Sequence, residues 1–259
     1  MTLFSENANE HKNSIFVFFE WLKSKKIYLT VRKYFMESEY KHISYATEAI
    51  LSEQELITKS KEVFQNLNKR RSLRLFSDKT FPAEVIDNLV IAASTAPSGA
   101  NKQPWTFCVV SSPKLKKQIR MAAEEEERIS YESRMSEEWK EDLKPFATDW
   151  QKPFLETAPY LIIVFRRAYE FEVGGKKHQN YYVSESVGIA CGFLLTAIHN
   201  LGLVALTHTP SPMDFLTKIL NRPSNERPYL LIPVGYPAEA ATVPDIKRKE
   251  KEEVLIWYK

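Results

Sequence analysis

A short turn between two patterned segments carries residue types that suit a bound ligand. The turn consists of Pro97, Ser98, Gly99 and Ala100. It joins an amphipathic helical segment to an apolar segment at 106–110 that is typical of a buried strand. Proline fixes its own φ, glycine tolerates a positive φ and lets a ligand approach closely, and the serine hydroxyl rotates to meet its partner. The turn suits a polar ligand, although an ordinary helix-to-strand connection explains it equally well.

A cluster of arginines suits an anionic group. It consists of Arg70, Arg71, Ser72 and Arg74. A planar guanidinium group donates several hydrogen bonds at once, which matches the geometry of a phosphate. The cluster follows a helical segment in which Ser52 and Glu55 have the spacing of a capping box. A solvated helix end is the simpler interpretation, because basic residues also interact favourably with the helix dipole.

Three residues in and after a strongly charged segment could recognise an amino acid. Glu127 and Tyr131 are four residues apart in a predicted helical segment at 113–145, so they are neighbours on a helix surface. Lys152 follows, shortly before a predicted strand at 160–165. A carboxylate, a phenol and an ammonium group on one mobile flap can together bind an amino-acid zwitterion. The alternative is that the charged run is only a solvated helix face.

Residues 186–213 contain no Asp, Glu, Lys or Arg. Polar residues and Gly202 interrupt the stretch, so it predicts a buried helix with a glycine stop and a strand at 204–207, not a membrane span. Gly188 and Gly192 allow this helix to pack closely against another, including one from a second subunit. At the end of the strand, where loops often carry binding residues, stand Thr207, His208 and Thr209.

The composition narrows the class of protein. With 259 residues, of which 44% are hydrophobic, the chain is long enough for one large domain with its own core. Its 36 basic and 33 acidic residues give a net charge of +3, which does not favour nucleic acid as a partner. Five histidines without paired spacing make a metal site unexpected, and two cysteines in apolar runs suit a reducing compartment. The sequence has no glycine-rich nucleotide-binding motif.

Four groups of residues together resemble the nitroreductase-like flavoprotein superfamily. They are RRSLR at 70–74, APSGANKQPW at 96–105, THTPS at 207–211, and PVGYP with VPDIKRK at 233–249. Within the superfamily the chain is similar to the iodotyrosine deiodinases, a family of halotyrosine dehalogenases, over roughly residues 41–258. The resemblance implies an α+β fold of the nitroreductase-like type, with a central mixed sheet flanked by helices, in an intertwined homodimer.

The resemblance also implies roles for individual residues. Those expected to bind FMN are Arg70, Arg71, Ser72, Arg74, Pro97, Ser98, Gly99, Thr207, His208, Thr209 and Arg248. The hydroxyl of Thr209 is expected to hydrogen-bond the reactive nitrogen of the flavin and to favour one-electron steps. The backbone amide of Ala100 is expected to donate to the phenolate oxygen of the substrate. Glu127, Tyr131 and Lys152 match the residues that bind the zwitterion, a feature that separates deiodinases from general nitroreductases.

The implied activity is FMN-dependent reductive dehalogenation of halotyrosines to tyrosine and halide. The expected substrates are 3-iodotyrosine, 3,5-diiodotyrosine and the bromo- and chlorotyrosines, and NAD(P)H is the expected ultimate reductant, with a separate flavin reductase as a further partner. The alternative is an NAD(P)H-dependent FMN nitroreductase acting on nitroaromatics or quinones. A third hypothesis is a flavin-binding module without turnover.

Two features depart from the family pattern. His208 stands where animal members are expected to carry a hydroxyl residue, which could change the reduction potential of the flavin. Residues 1–40 are aromatic and basic, but their apolar runs are too short to span a bilayer. We expect them to form a partly ordered or helical extension, with a helix on a membrane surface as the alternative and Met36 as a conceivable start. Residues 41–259 would form the FMN-binding domain of a cytoplasmic protein.

Overall fold

The first described element begins at the predicted capping box. The computed structural model describes residues 42–45 and 50–259, so the predicted extension at 1–40, its boundary and the alternative start lie outside the described residues. Helix α1 spans Glu53–Asn68. At its start, Ser52 N donates to Glu55 Oε2 at 2.8 Å, and Glu55 N donates to Ser52 Oγ at 3.4 Å. The chain divides into two compact units between Leu56 and Ile57, and the sheet and the cavities described below belong to the second unit.

Helices and strands alternate along the rest of the described chain. The helices are α2 (Ala83–Ser94), α3 (Pro113–Ile129), α4 (Glu137–Leu143), α5 (Phe154–Thr157), α6 (Val183–Asn200), α7 (Asp214–Ile219) and α8 (Lys251–Val254). The strands are β1 (Trp105–Val110), β2 (Tyr160–Arg167), β3 (Tyr169–Phe171), β4 (Lys177–Gln179), β5 (Val204–Ala205) and β6 (Glu226–Gly235). Short turns of other helix types lie at Gly99–Asn101, Ser130–Arg134 and Lys144–Phe146.

Four strands form the central sheet in the order β1-β2-β6-β5. Each neighbouring pair is antiparallel, with Trp105 opposite Arg166 and Val204 opposite Gly235. A parallel contact enters through an isolated bridge between Ser72 and Ala205, at the edge of the sheet. Strands β3 and β4 form a separate antiparallel hairpin. The predicted mixed sheet is therefore antiparallel along its described strands and parallel only at this bridge.

The sheet is covered on both faces. Ile162 and Val164 of β2 pack into a core with α2 and α6, whereas Ile163 and Phe165 pack into a core with α3, α5 and α7. Successive side chains of a strand point to opposite faces, which explains the division. All four of these β2 side chains are fully buried. The predicted flanked α+β arrangement is confirmed.

The uncharged stretch forms the predicted buried helix α6, which ends where the backbone turns through Gly202 at φ 71°. The predicted close approach of another helix to its two glycines is not seen within this chain. A Cβ at Gly188 would lie 3.2 Å from the hydroxyl of Tyr229 on β6, and a Cβ at Gly192 would have no described atom within 4 Å. Among the described residues, no helix is long and apolar enough to cross a bilayer.

Candidate active site

Basic side chains line a cavity of about 300 Å³, here called the arginine cavity. Its cations are Arg70, Arg71, Arg74, Lys247 and Arg248. Ser72 and Thr207 add hydroxyl groups to the lining, and no carboxylate is found among the described residues that line it. A cavity with many donors and no competing acid suits a phosphate group.

Two distant parts of the chain meet at this cavity. The segment after α1 runs along the edge strand β5, where Ser72 forms the bridge to Ala205. From the C-terminal segment, the guanidinium of Arg248 donates to the carbonyl oxygen of Arg70 at 3.0 Å and to that of Asn68 at 3.1 Å. These hydrogen bonds hold the predicted C-terminal arginine beside the predicted N-terminal cluster.

The arginines of the cavity repel one another. Burial lowers the pKa of Arg70, and the positive charges of Arg248 and Arg71 lower it further. Burial also lowers the pKa of Arg74. Guanidinium groups stay protonated in proteins, so this crowding costs free energy until an anion enters. The electrostatics therefore favour an anionic ligand in the arginine cavity.

A second cavity, of about 260 Å³, adjoins the first and is here called the Glu127 cavity. The residues that line both cavities are Arg74, Leu206 and Thr207. Helix α3 presents Glu127 to the second cavity, the turn after α3 presents Tyr131, and the segment before α5 presents Lys152. The three residues predicted to bind a zwitterion thus lie together, next to the cavity that suits a phosphate.

The three side chains are close but not tightly paired. Lys152 Nζ lies 3.6 Å from Glu127 Oε2 and 5.7 Å from the centre of the Tyr131 ring. The phenol of Tyr131 donates to the carbonyl oxygen of Thr148 at 3.1 Å, and Lys152 Nζ donates to the carbonyl oxygen of Asp149. The carboxylate and the ammonium form an ion pair that is too long for a good hydrogen bond. Lys152 Nζ also donates to Thr148 Oγ1 at 3.3 Å, so a ligand carboxylate would compete with these contacts while the Glu127 carboxylate keeps acceptor positions to offer.

Burial shifts the titration of this trio. It raises the pKa of Glu127, and the nearby Lys152 opposes that shift. It lowers the pKa of Lys152, against the opposing charges of Glu127 and Asp149. The pKa of Tyr131 is raised by burial and by the Glu127 charge. Both charges of the ion pair are partly stripped of water, so opposite charges on a ligand would interact with them strongly.

The imidazole of His208 also faces the Glu127 cavity. Its Nε2 lies 3.9 Å from Glu127 Oε1 and has no hydrogen-bond partner among the described residues. Burial, followed by the positive charges of Lys152 and Arg74, lowers the pKa of His208 to about 3. The imidazole is therefore neutral near pH 7. Thr209, the next residue along the chain, lines the same cavity.

The turn at 97–100 lies at neither cavity. Gly99 N donates to Ser186 Oγ on α6 at 3.4 Å, and Ser98 Oγ accepts from Gln103 N at 2.9 Å. The left-handed φ values of this segment fall at Ala100 (49°), Asn101 (53°) and Gln103 (47°), and not at Gly99. Gly99 is required for packing instead, since a Cβ there would lie 3.0 Å from the carbonyl oxygen of Tyr181. Within one chain, the turn and the two cavities remain separate.

Comparison with known proteins shows the family of this chain. Residues 67–236 match the model of the Nitroreductase family, which covers more than half of the chain. This chain belongs to the nitroreductase family. Its fold is that of a nitroreductase-family iodotyrosine deiodinase crystallised in the oxidised state with FMN and 3-iodo-L-tyrosine. That structure matches with a TM-score of 0.66 and 35% sequence identity, over 76% of this chain and 98% of the other.

Curated relatives of this nitroreductase-family chain carry the same name. The iodotyrosine deiodinase of Haliscomenobacter hydrossis is 64% identical over 205 residues, which cover 79% of this chain and 92% of the relative. Iodotyrosine deiodinase 1 of Homo sapiens is 48% identical over 205 residues, covering 79% and 71% of the two chains. The resemblance to iodotyrosine deiodinases that the sequence indicated is confirmed.

Apolar residues that complete the Glu127 cavity of this nitroreductase-family member were not foreseen. Met135, Trp139 and Leu143 line it beside the zwitterion trio. Trp139 and Leu143 are four residues apart on α4, which is the spacing of one helix face, and Met135 lies just before the helix in the same four-residue spacing. That stripe, in an otherwise charged segment, was the available signal. Phe146, which lines the arginine cavity, lies 5.7 Å from the guanidinium carbon of Arg74.

Proposed function

We propose that this protein is an FMN-dependent iodotyrosine deiodinase that reductively removes halide from halotyrosines. The observation that carries the proposal is the trio of buried Lys152 and partly buried Glu127 and Tyr131 in a cavity that shares lining residues with the arginine cavity. A small phenol has no use for a buried carboxylate and ammonium. An amino acid carries the two matching charges. The names of the relatives agree with this assignment.

The adjoining arginine cavity suits the phosphate of FMN. Arg70, Arg71, Ser72, Arg74 and Arg248 would hold this group, since they line the cavity together and no carboxylate is among its described lining residues. When bound, FMN supplies the two electrons that, with one proton, replace the carbon–halogen bond by carbon–hydrogen and release halide. Two hydroxyls would hydrogen-bond its ring system. They belong to Thr207, which lines both cavities, and to Thr209, which lines the Glu127 cavity.

The amino-acid end of the substrate would be held by charge complementarity. Glu127 would accept from the ammonium group, while Lys152 and the phenol of Tyr131 would donate to the carboxylate. Each hydrogen bond to a charged group is worth about 1.5–3 kcal/mol. Two of them would favour a halotyrosine over the matching halophenol by roughly 100-fold or more. This preference depends on the exclusion of water, which the apolar stripe on α4 supports.

A second copy of the chain would complete the site. Pro97, Ser98, Gly99 and Ala100 line neither cavity of their own chain. Ile189 and Phe193 on α6 are each 44% exposed, which leaves an apolar surface for a subunit contact. In the proposed homodimer, the turn of one subunit reaches the flavin of the other. The amide of Ala100 would then donate to the phenolate oxygen of the substrate and stabilise its negative charge.

The source of electrons is a separate part of the proposal. NAD(P)H would serve as the ultimate reductant, and a separate flavin reductase would deliver its electrons in the cytoplasm. If NAD(P)H alone reduces the bound flavin, with no reductase added, the separate reductase is removed from the proposal.

The proposed function is tested by reducing the bound flavin without oxygen and then titrating the protein with the substrate. The purified holoprotein is reduced with dithionite and titrated with 3-iodotyrosine while the flavin spectrum, iodide and tyrosine are measured. We expect reoxidation with one iodide and one tyrosine formed for each flavin oxidised. If 3-iodotyrosine leaves the flavin reduced and a nitroaromatic reoxidises it rapidly, the protein is a nitroreductase and the proposal is rejected.

A further inference from the structure

The imidazole of His208 holds an unused donor position at the amino-acid end of the Glu127 cavity. The residue is 7% exposed, and Nε2 is fully buried without a hydrogen-bond partner among the described residues. Buried polar atoms are nearly always hydrogen-bonded in native structures. Glu127 Oε1 lies 3.9 Å from Nε2, which is beyond hydrogen-bond range. This atom therefore has a partner within reach that it does not yet contact.

The imidazole is fixed in place, so the closing movement belongs to Glu127. The backbone of His208 forms two hydrogen bonds with Leu231 of β6, of 2.9 and 3.0 Å. Its ring packs edge-on against Phe154 of α5, with 5.7 Å between ring centres. Glu127, in contrast, is held by an ion pair to Lys152 that is longer than a hydrogen bond. A shift of about 1 Å by the carboxylate would reach hydrogen-bonding distance of His208.

The charges around the imidazole decide which partner donates. Lys152 and Arg74 place positive charge near His208, and both oppose its protonation. A neutral imidazole has one donor nitrogen and one acceptor nitrogen. The carboxylate of Glu127 can only accept, so the proton on the ring must be at Nε2 when the two groups meet. His208 then donates to Glu127 without adding a charge that would compete with the ammonium group of the substrate.

We propose that His208 is a positioning residue, whose Nε2 donates to Glu127 Oε1 in the substrate complex and holds the carboxylate toward the substrate ammonium. The inference rests on the proposed function and deepens it. The two oxygens of Glu127 have separate neighbours, with Oε2 near Lys152 and Oε1 near His208. When the substrate carboxylate binds Lys152, Glu127 loses its ion-pair partner, and His208 is the neighbour that remains to orient it. The carboxylate is thereby oriented by a group that the substrate does not displace.

Binding measurements on the oxidised holoenzyme test this role. The dissociation constants of 3-iodotyrosine and of 2-iodophenol, which lacks both charges, are measured by quenching of flavin fluorescence. We expect His208→Leu to weaken binding of 3-iodotyrosine by roughly tenfold. We expect His208→Gln, which keeps a donor at similar reach, to stay within about threefold of the wild type. Binding of 2-iodophenol should be the same in all three proteins.

A double variant separates positioning from direct contact with the substrate. In the Glu127→Gln background, His208→Leu should have no further effect on 3-iodotyrosine binding. A full His208→Leu effect in that background would mean that His208 binds the substrate directly, and equal loss of both ligands would mean a structural role. Either result overturns the proposal. Failure of the wild-type protein itself to release iodide would reject the proposed function, not this role alone.

Nitrogen NMR of the wild-type protein supplies a test that needs no variant to fold. With ¹⁵N-labelled histidine, we expect the Nε2 resonance of His208 to be that of a protonated nitrogen in the complex with 3-iodotyrosine. It should also show a one-bond coupling to hydrogen. An unprotonated Nε2 in the complex would exclude donation to Glu127 and overturn the proposal.

Discussion

Lys152 Nζ lies 3.6 Å from Glu127 Oε2 in a cavity where both side chains are largely buried. The distance between these two atoms is too long for a strong hydrogen bond, and the two side chains are too buried for solvent to screen their charges effectively. A zwitterion offers each member of the pair an opposite charge, so ligand binding would replace one long contact by two short ones. This geometry supports the proposed selectivity of the cavity for amino acids.

Neutralising the carboxylate should remove that selectivity. We expect Glu127→Gln to weaken 3-iodotyrosine binding by about tenfold or more, because a charge-assisted hydrogen bond to the ammonium group becomes a neutral one. Affinity for 2-iodophenol and for FMN should be retained. Fluorescence titration measures all three. Glu132→Gln is the matched control, since Glu132 pairs with Arg128 in an exposed position. An unchanged affinity for 3-iodotyrosine would contradict the assignment of Glu127.

The lysine of the pair should behave in the same way toward the substrate and differently toward stability. We expect Lys152→Met to weaken 3-iodotyrosine binding by about tenfold or more, and to destabilise the fold because Glu127 is left buried without its partner. Adding Glu127→Gln should restore part of the lost stability. Thermal unfolding of the single and double variants checks this. A double variant that is less stable than Lys152→Met would show that the buried charge is not the cause.

The C-terminal arginine should matter for cofactor affinity. We expect Arg248→Met to weaken FMN binding by about tenfold, the loss of roughly one charged hydrogen bond to phosphate. Reconstitution of the apoprotein with FMN, followed by calorimetry, gives the dissociation constant. Arg128→Met is the control, because Arg128 is exposed and pairs with Glu125 and Glu132 away from the cavity. Equal affinity in both variants would remove Arg248 from the phosphate site.

A methyl group at Gly99 should disturb the turn. The new Cβ would lie 2.9 Å from Tyr182 Cδ2 and 3.0 Å from the carbonyl oxygen of Tyr181, and the backbone atom cannot move aside cheaply. We expect Gly99→Ala to lower the free energy of unfolding by about 1–3 kcal/mol. Chemical denaturation measures the change. Gly192→Ala provides the comparison within the chain, since no described atom lies within 4 Å of its added methyl group. A Gly99→Ala protein as stable as the wild type would rule out the clash.

Stability should fall on acidification because His208 resists protonation. Its pKa of about 3 in the folded protein is below its usual value of 6.5, so the unfolded chain binds more protons between these limits. The contribution of His208 to the free energy of unfolding is fully present above pH 6.5 and is lost as the pH falls toward 3. Lys152 and Arg74 oppose the protonation, and Glu127 faces the same ring.

The measurement compares the wild type with His208→Leu, so that the carboxylates that titrate in both proteins cancel. Between pH 7 and pH 5, we expect the wild type to lose about 2 kcal/mol more than the variant. Urea unfolding at each pH gives the two curves. Parallel curves would mean that His208 is protonated in the folded protein at pH 5 without cost.

Local sequence determined the elements that carry the site. Ser52 and Glu55 are three residues apart and form the predicted capping box, because such a pair satisfies backbone amides of its own first turn. Glu127 and Tyr131 are four apart and project into one cavity, because that spacing defines one face of a helix. Helix α6 ends at Gly202 for an equally local reason. The family resemblance supplied the grouping of these elements that periodicity alone does not give.

Tertiary structure decided which of these groups meet. The imidazole of His208 was expected beside the flavin, and its Nε2 faces Glu127. Glycine tolerates a positive φ, yet the left-handed residues beside Gly99 are Ala100, Asn101 and Gln103. Within one chain, the turn that holds Gly99 and Ala100 lies apart from the arginine cavity. Sequence spacing fixes which face of its own element a side chain takes. The facing side chains come from segments far apart in the sequence, so their meeting depends on how the two cores pack the helices against the sheet.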